Sequence, residues 1–256
     1  MKLTMLGSGT SSGVPRIGGD WGDCDPANPR NRRRRVSILV ESADTRLLVD
    51  TGPDLREQLL DANVGWITAV LYTHDHADHC HGIDDLRALF HAARREIDCY
   101  MDRETRAGLR SRFAYVFAGR AGYPPTAKAH LIEGDLQIGS IRVRAFRQQH
   151  GPVHSLGFRF EAEGRAIAYS TDVSALPEAA WPLLANLDLW VVDALRRQPH
   201  PTHSHLAQTL EWIDRAKPHE AWLTHMDQSM DHDSLAAELP PGITPGYDGR
   251  IWEGRA

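Results

Sequence analysis

Tyr72-Thr73-His74-Asp75-His76-Ala77-Asp78-His79-Cys80-His81-Gly82 is the stretch on which the reading of this chain turns. It completes the apolar run Ile67–Tyr72, which reads as a buried strand. It then spells H-x-H-x-D-H. Alternation at the end of a strand puts His74 and His76 on one side. A turn into a helix would present Asp78 and His79 beside them. Neutral imidazole and carboxylate suit zinc, and manganese or iron where carboxylates share the site. A polar surface cluster would explain a lone histidine. Five ionisable groups within six positions, directly after an apolar strand, argue for a metal centre instead. A histidine-rich chelating tract would lack this strand-then-turn setting. Cys80, inside the motif, reads as a small packing residue rather than a ligand.

Composition narrows the surroundings. The chain has 256 residues, 41% hydrophobic and 25% charged, an ordinary globular balance. Lys plus Arg is 29 against 34 for Asp plus Glu, a formal charge of -5. That argues against a nucleic-acid coat or a polybasic membrane binder, so neither a membrane nor a stable nucleic-acid complex is expected. No apolar run approaches the ~20 residues of a membrane helix. Met1–Leu6 is a short β-like run without the features of a secretory signal. Three cysteines, Cys24, Cys80 and Cys99, are too few for a disulfide scaffold. A cytoplasmic location is therefore expected. The 14 histidines, mostly clustered, are the one compositional oddity.

The chain reads as one domain over residues 1–256. Strands are predicted at Leu3–Leu6, Val36–Val40, Leu47–Val49, Ile67–Tyr72, Ile97–Met101, Ile141–Phe146, Leu156–Phe160, Ala166–Tyr169, Leu187–Val192 and Ala221–Leu223. The second and third flank Ser42–Thr45 and suggest a hairpin. Helical spacing appears at Asp54–Ala62, Ile83–Ala93, Arg103–Phe117 and Leu206–Arg215. Pro177–Leu184 is a weaker helix candidate because Pro182 interrupts it. Two sheets packed face to face with helices outside, an α/β (α+β) arrangement, accommodate this order. Gly7–Arg35 is a long irregular loop, a length usual for functional or disordered segments. Its end, Arg32-Arg33-Arg34-Arg35, suits either a solvated basic edge or an anion-facing rim.

The histidine motif resembles that of the metallo-β-lactamase superfamily. The resemblance implies an αββα sandwich of two mixed sheets with a dinuclear site along one edge. It extends in order to Leu48-Val49-Asp50-Thr51-Gly52, Gln148-Gln149-His150-Gly151, Tyr169-Ser170-Thr171-Asp172 and Trp222-Leu223-Thr224-His225. By that match His74, His76 and His150 would hold one divalent ion, Zn²⁺ or Mn²⁺. Asp78, His79 and His225 would hold a second, and Asp172 would bridge the two. His154 is the neighbour with which His150 is most easily confused. Asp50 reads as a carboxylate that orients a ligating imidazole rather than as a ligand.

Three further segments resemble the phosphodiesterase branch, which contains the PhnP cyclic phosphodiesterases and ribonuclease Z. They are Gly7-Ser8-Gly9-Thr10-Ser11-Ser12-Gly13-Val14-Pro15, Gly82-Ile83-Asp84-Asp85-Leu86-Arg87 and Pro245-Gly246-Tyr247-Asp248-Gly249. In that branch a histidine near a helix start protonates the leaving oxygen. Within His200-Pro201-Thr202-His203-Ser204-His205, His203 fits best, and His200 and His205 are alternatives that would also touch substrate. The resemblance implies phosphodiester hydrolysis by a metal-bridged hydroxide on a small substrate, cyclic and nucleotide-like or phosphoribosyl. Asp78 and His203 would be catalytic, and Arg35 and Arg87 would clamp the phosphate.

There are departures. The branch's additional structural zinc uses three cysteines in the first loop and a histidine after the last ligand. This loop has only Cys24, and Gln228 stands three residues beyond His225, so that zinc is not expected and the loop must be ordered otherwise. No basic insertion resembles ribonuclease Z's tRNA arm. The later cysteine ligand of the β-lactamases has no match. Glyoxalase II-type or lactonase hydrolysis, a ribonuclease Z-like nuclease and a metal-binding sensor without turnover stay open, as does a homodimer.

Overall fold

The apolar runs become strands because nearly every one is covered on both faces, which favours continuous β-branched and aliphatic sequence. The computed structural model describes residues 1–254. In chain order the strands are β1 (Lys2–Gly7), β2 (Ser37–Ser42), β3 (Thr45–Val49), β4 (Ala69–Leu71), β5 (Ile97–Met101) and β6 (Ala127–Leu131). There follow β7 (Leu136–Ile138), β8 (Ile141–His150), β9 (Val153–Ala162), β10 (Arg165–Ser170), β11 (Leu189–Asp193), β12 (Glu220–Thr224), β13 (Ile243–Pro245) and β14 (Ile251–Glu253). They form two seven-stranded sheets, β14-β1-β2-β3-β4-β5-β6 and β13-β12-β11-β10-β9-β8-β7. In each, antiparallel pairing gives way to parallel pairing, at β3 and at β10. The sheets are mixed, as expected.

Alternation divides the apolar residues among three layers. Leu47, Val49 and Leu71 meet Phe158, Ile167, Tyr169 and Val191 between the sheets. Leu48 and Val70 face outward onto α1 (Leu55–Asp61), α3 (Leu86–Ala93) and α4 (Arg103–Arg112) through Leu55, Leu86 and Leu109. On the far side Trp190 and Val192 pack against α6 (Leu206–Ala216) and α7 (His232–Glu238) through Ile213 and Leu235. Each buried side chain of this size contributes roughly 1.5–3 kcal/mol. This is the αββα sandwich.

Several expectations need correction. The helix expected over Arg103–Phe117 is two, because Phe113 (φ −123°, ψ 40°) leaves helical geometry between α4 and α5 (Ala114–Ala118). Ile67–Tyr72 keeps only Ala69–Leu71 as strand. Ile83–Asp85 winds as a 3-10 turn before α3. Glu178–Leu184 is likewise 3-10, consistent with Pro182 lacking an amide donor.

The loop Gly7–Arg35 is ordered by the fold. Gly9 bridges Arg35 and Met226, and Val14 bridges Arg33. The buried Arg33 guanidinium donates to the carbonyls of Asp227 (3.2 Å) and Met230 (2.6 Å). It also reaches Cys24 Sγ at 3.7 Å and Asn31 Oδ1 at 3.4 Å. A buried cation thus ties the loop to the segment beyond β12. Cys24, Cys80 and Cys99 are all unpaired.

Candidate metal centre

The site lies where the C-terminal ends of β3, β4, β8, β10, β11 and β12 meet on one edge. Here Asp50 follows β3 directly, and Thr51 and Gly52 run against the short helix α2 (Ala77–Cys80). The Thr51 amide donates to the His79 carbonyl (2.7 Å), and the Gly82 amide to the Thr51 carbonyl (2.8 Å). A Cβ on Gly82 would fall 2.0 Å from the Gly52 oxygen. Glycine is required by this close approach.

All seven residues expected as ligands converge. His74, His76, His150 and Asp172 form one group of donor atoms, and Asp78, His79, Asp172 and His225 a second. Within each group the atoms lie within 4.8 Å of one another. Asp172 belongs to both. Its Oδ2 lies 3.8 Å from His74 Nε2 and 3.5 Å from His150 Nε2. Its Oδ1 lies 3.1 Å from His79 Nε2 and 3.4 Å from His225 Nε2. Asp78 Oδ2 lies 3.3 Å from His79 Nε2 and 3.6 Å from His225 Nε2. His150 is in the first group and His154 is in neither.

The rings are held from behind. Asp50 Oδ2 lies 2.7 Å from His79 Nδ1 and accepts from the Thr73 hydroxyl, while its Oδ1 accepts from the Thr73 amide, both at 2.8 Å. Thr73 Oγ1 meets His74 Nδ1 at 3.0 Å. His150 Nδ1 donates to the Thr202 carbonyl at 2.7 Å. These partners occupy Nδ1 and turn Nε2 inward.

Burial and charge set the chemistry of the cluster. His74 Nε2, His79 Nε2 and both ring nitrogens of His225 are buried without a hydrogen-bond partner. An orphaned buried polar atom costs about 1–3 kcal/mol. Several of them aimed at shared carboxylates fit divalent cations. Burial disfavours charge on His225, but Asp172 and Asp78 outweigh it and raise its pKa to about 9. Burial likewise opposes protonation of His79, yet Asp172, Asp78 and Asp50 raise its pKa. Burial and the nearby His79 push His74 down. Asp172 is held low against burial by His225 and His79.

Three residues at strand ends hold left-handed backbone: Asp50 (φ 65°), Asp172 (φ 52°) and His225 (φ 58°). Such conformations are uncommon outside glycine and concentrate at functional sites.

The helix-start histidines separate. His203 Nδ1 lies 3.0 Å from Asp193 Oδ2, and its Nε2 is 3.8 Å from Asp172 Oδ2. Its ring stacks on His225 at 4.6 Å. His200 packs against His203 at 5.2 Å and bonds through Nδ1 to Thr202. Asp193, His203 and His225 form a third donor group, and His205, the N-cap residue of α6, belongs to none of the three. Asp193 was not singled out from sequence. An acidic residue closing the buried run Leu187–Val192, as Asp50 and Asp172 close theirs, is the signal that marks it.

The arginines also divide. Arg35 lines a cavity that adjoins the cluster at Asp78 and Ser11. Arg87 does not: it sits 5.3 Å from the Tyr123 ring and lines a cavity between α3 and α5 without any of the seven residues. The structure therefore does not bring Arg87 together with the cluster where a phosphate clamp was expected. Arg33 is the buried tie described above, and Arg34 pairs with Asp61. The arginine run is therefore not one anion-facing rim.

Comparison with known proteins agrees with this geometry. Residues 45–226 match the Beta-lactamase superfamily domain. A solved structure described as a new diphosphatase from the PhnP family superimposes with a TM-score of 0.90 at 34% identity, covering 98% of this chain and 96% of that one. A Porphyromonas gingivalis protein named octanoyltransferase is 33% identical over 97% of this chain and 51% of its own length. A ribonuclease Z of Bradyrhizobium diazoefficiens is 29% identical over 62% of this chain and 54% of its own. The chain spans about half the length of the curated relatives it matches.

Proposed function

This chain belongs to the beta-lactamase superfamily and within it to the PhnP family, and we propose that it is a dinuclear metal-dependent phosphodiesterase acting on a small phosphodiester. The observation that carries the reading is the Asp193–His203 pair facing the seven-residue cluster. His74, His76 and His150 would hold one divalent ion, Asp78, His79 and His225 the other, with Asp172 between. Two such ions, zinc or manganese, would supply an activated water nucleophile and neutralise phosphate charge.

The chain's own residues do the rest. Asp193 accepts from Nδ1–H of His203 and fixes the ring so that Nε2 faces the cleft. A proton on that Nε2 is placed for the leaving oxygen, which an alkoxide needs and a thiolate does not. This favours a phosphodiester over the thioester of a glyoxalase. The cleft, about 340 Å³ and lined by Ser11, Pro152, Val153 and Thr202 besides the cluster, suits a small ester such as a cyclic or ribosyl phosphate. No helix among the described residues is long and apolar enough to cross a membrane. A cytoplasmic enzyme without a stable nucleic-acid complex completes the proposal. Acyl transfer, named for a relative of which this chain spans half, is not carried over.

The test pairs metal analysis with turnover of bis(p-nitrophenyl) phosphate in Mn²⁺ or Zn²⁺, against Asp172→Asn. Two ions per chain and activity lost in the variant support the reading. Two ions with lactones or thioesters hydrolysed instead would overturn it. Efficient cleavage of precursor tRNA would replace the small substrate with RNA.

A further inference from the structure

The three imidazoles of the first donor group are not held alike. Thr73 and the Thr202 carbonyl fix His74 and His150 through Nδ1. His76 is the exposed member of that group. Its Nδ1 lies 3.3 Å from His150 Nε2, and its own Nε2 has no hydrogen-bond partner among the described residues. That leaves the backbone to set its direction: His76 is the N-cap residue of α2, in extended conformation (φ −65°, ψ 155°). The peptide joining Asp75 to His76 is gripped from outside the site. Arg112, in the last turn of α4, donates through Nη2 to both the Asp75 carbonyl and Asp75 Oδ2. Cys80 Sγ donates to the same carbonyl at 3.3 Å. One helical turn back, Gly108 lets the carboxylate lie against α4, because a Cβ there would fall 1.9 Å from Asp75 Oδ2. A glycine inside a helix weakens it, and at this position it is what admits Asp75. The end of α4 also reaches the far side of the motif. Phe113 meets the His81 ring at 5.7 Å, with the Arg112 guanidinium 5.9 Å from the Phe113 ring.

We propose that Arg112 is a positioning residue: through Asp75 it sets the direction of His76, and so the affinity of the His74–His76–His150 site for its ion. This rests on the dinuclear reading above. An exposed ion pair adds little to global stability, whereas loosening a ligand's support costs metal affinity directly. The two effects therefore separate in measurement.

In the test, zinc is titrated into the chelator-stripped protein against a chromophoric competitor, which resolves two binding steps. His76→Ala marks the step that belongs to the first site. Arg112→Met keeps a stem over Phe113 and removes the donor. It should weaken that step by about 10–100-fold, leave the other step unchanged and keep the wild-type Tm. Arg112→Lys should recover most of the loss, since one charged nitrogen serves both acceptors on Asp75. Gly108→Ala drives a methyl group into Asp75 and should weaken the same step, although alanine favours the helix. Wild-type zinc affinity in Arg112→Met overturns the proposal. So do equal losses at both steps, a Tm that falls with them, or Lys and Met variants that behave identically. If the wild-type protein fails to take two ions, the dinuclear reading has failed by itself. Hydrogen exchange of the ion-free protein then judges the role of Arg112. The probe is the His79 amide, which donates to the His76 carbonyl at 3.1 Å. Faster exchange there in Arg112→Met, with the rest of the chain unchanged, upholds the proposal, and unchanged exchange refutes it.

Discussion

Stripped of metal by a chelator, the protein should lose stability as pH rises from 6.5 to 9. His225 carries the effect. Its pKa is about 9 in the folded chain against 6.5 for a free imidazole. A raised folded-state value stabilises fully below 6.5, and the contribution disappears as pH climbs through 9. At about 1.4 kcal/mol per pH unit, that interval amounts to roughly 3 kcal/mol. His79, also raised, acts in the same direction. Asp248, buried and lifted to about 7, has its own loss at lower pH, between 3.8 and 7. His74 and His150, both depressed, act only on the acid side of 6.5. For a chain of this size each kcal/mol moves Tm by about 2–4 °C. Differential scanning calorimetry of the chelated protein should therefore show a fall of roughly 6–12 °C across this window. Saturating zinc should stabilise increasingly over the same window, because the imidazoles must shed their protons to ligate. A chelated protein with a flat or rising Tm from 6.5 to 9 would refute the reasoning. So would Asp172→Asn retaining the wild-type slope, since Asp172 is the largest charge holding that proton.

Three further outcomes are expected. Asp172→Asn should bind fewer than two ions by elemental analysis and lose at least about a thousandfold in turnover, because it borders both donor groups. His203→Ala should cut kcat by about 10²–10⁴ on alkyl phosphodiesters but far less on p-nitrophenyl esters, whose leaving group needs no proton; Asp193→Asn should follow the same pattern more mildly, and equal losses on both substrate types would remove His203 from that role. Gly82→Ala should express with low metal content and a depressed Tm, since its Cβ would meet the Gly52 carbonyl.

The sequence made the edge of the sandwich legible because its ligands sit where apolar strands stop. Asp50, His74, Asp172 and His225 each follow a buried run, and alternation places them. The sheet pairing was not legible, because β6, β7, β13 and β14 are short and mostly peripheral, with no strong period to betray them. Asp193 escaped notice although it closes a strand as Asp172 does. Its partner, His203, was found through a local cluster, and the contact spans ten residues that only the fold brings together. Arg35 and Arg87 looked equivalent on paper. Arg35 lines a cavity shared with Asp78 and Arg87 one between α3 and α5, and composition does not encode that separation.

The left-handed backbone at Asp50, Asp172 and His225 governs how a mutational scan of this site would have to be read. Alanine at these positions removes a charge or a ligand and also imposes a conformation that a Cβ disfavours, at about 1–2 kcal/mol. Loss of activity and loss of soluble protein would then be confounded. Asparagine tolerates that region and preserves shape, so Asp50→Asn and Asp172→Asn remove the charge without adding backbone strain. In a saturation library, glycine and asparagine should survive here as folded but inactive variants. Valine and isoleucine should vanish from the soluble fraction, and abundance and activity would separate into two independent readouts.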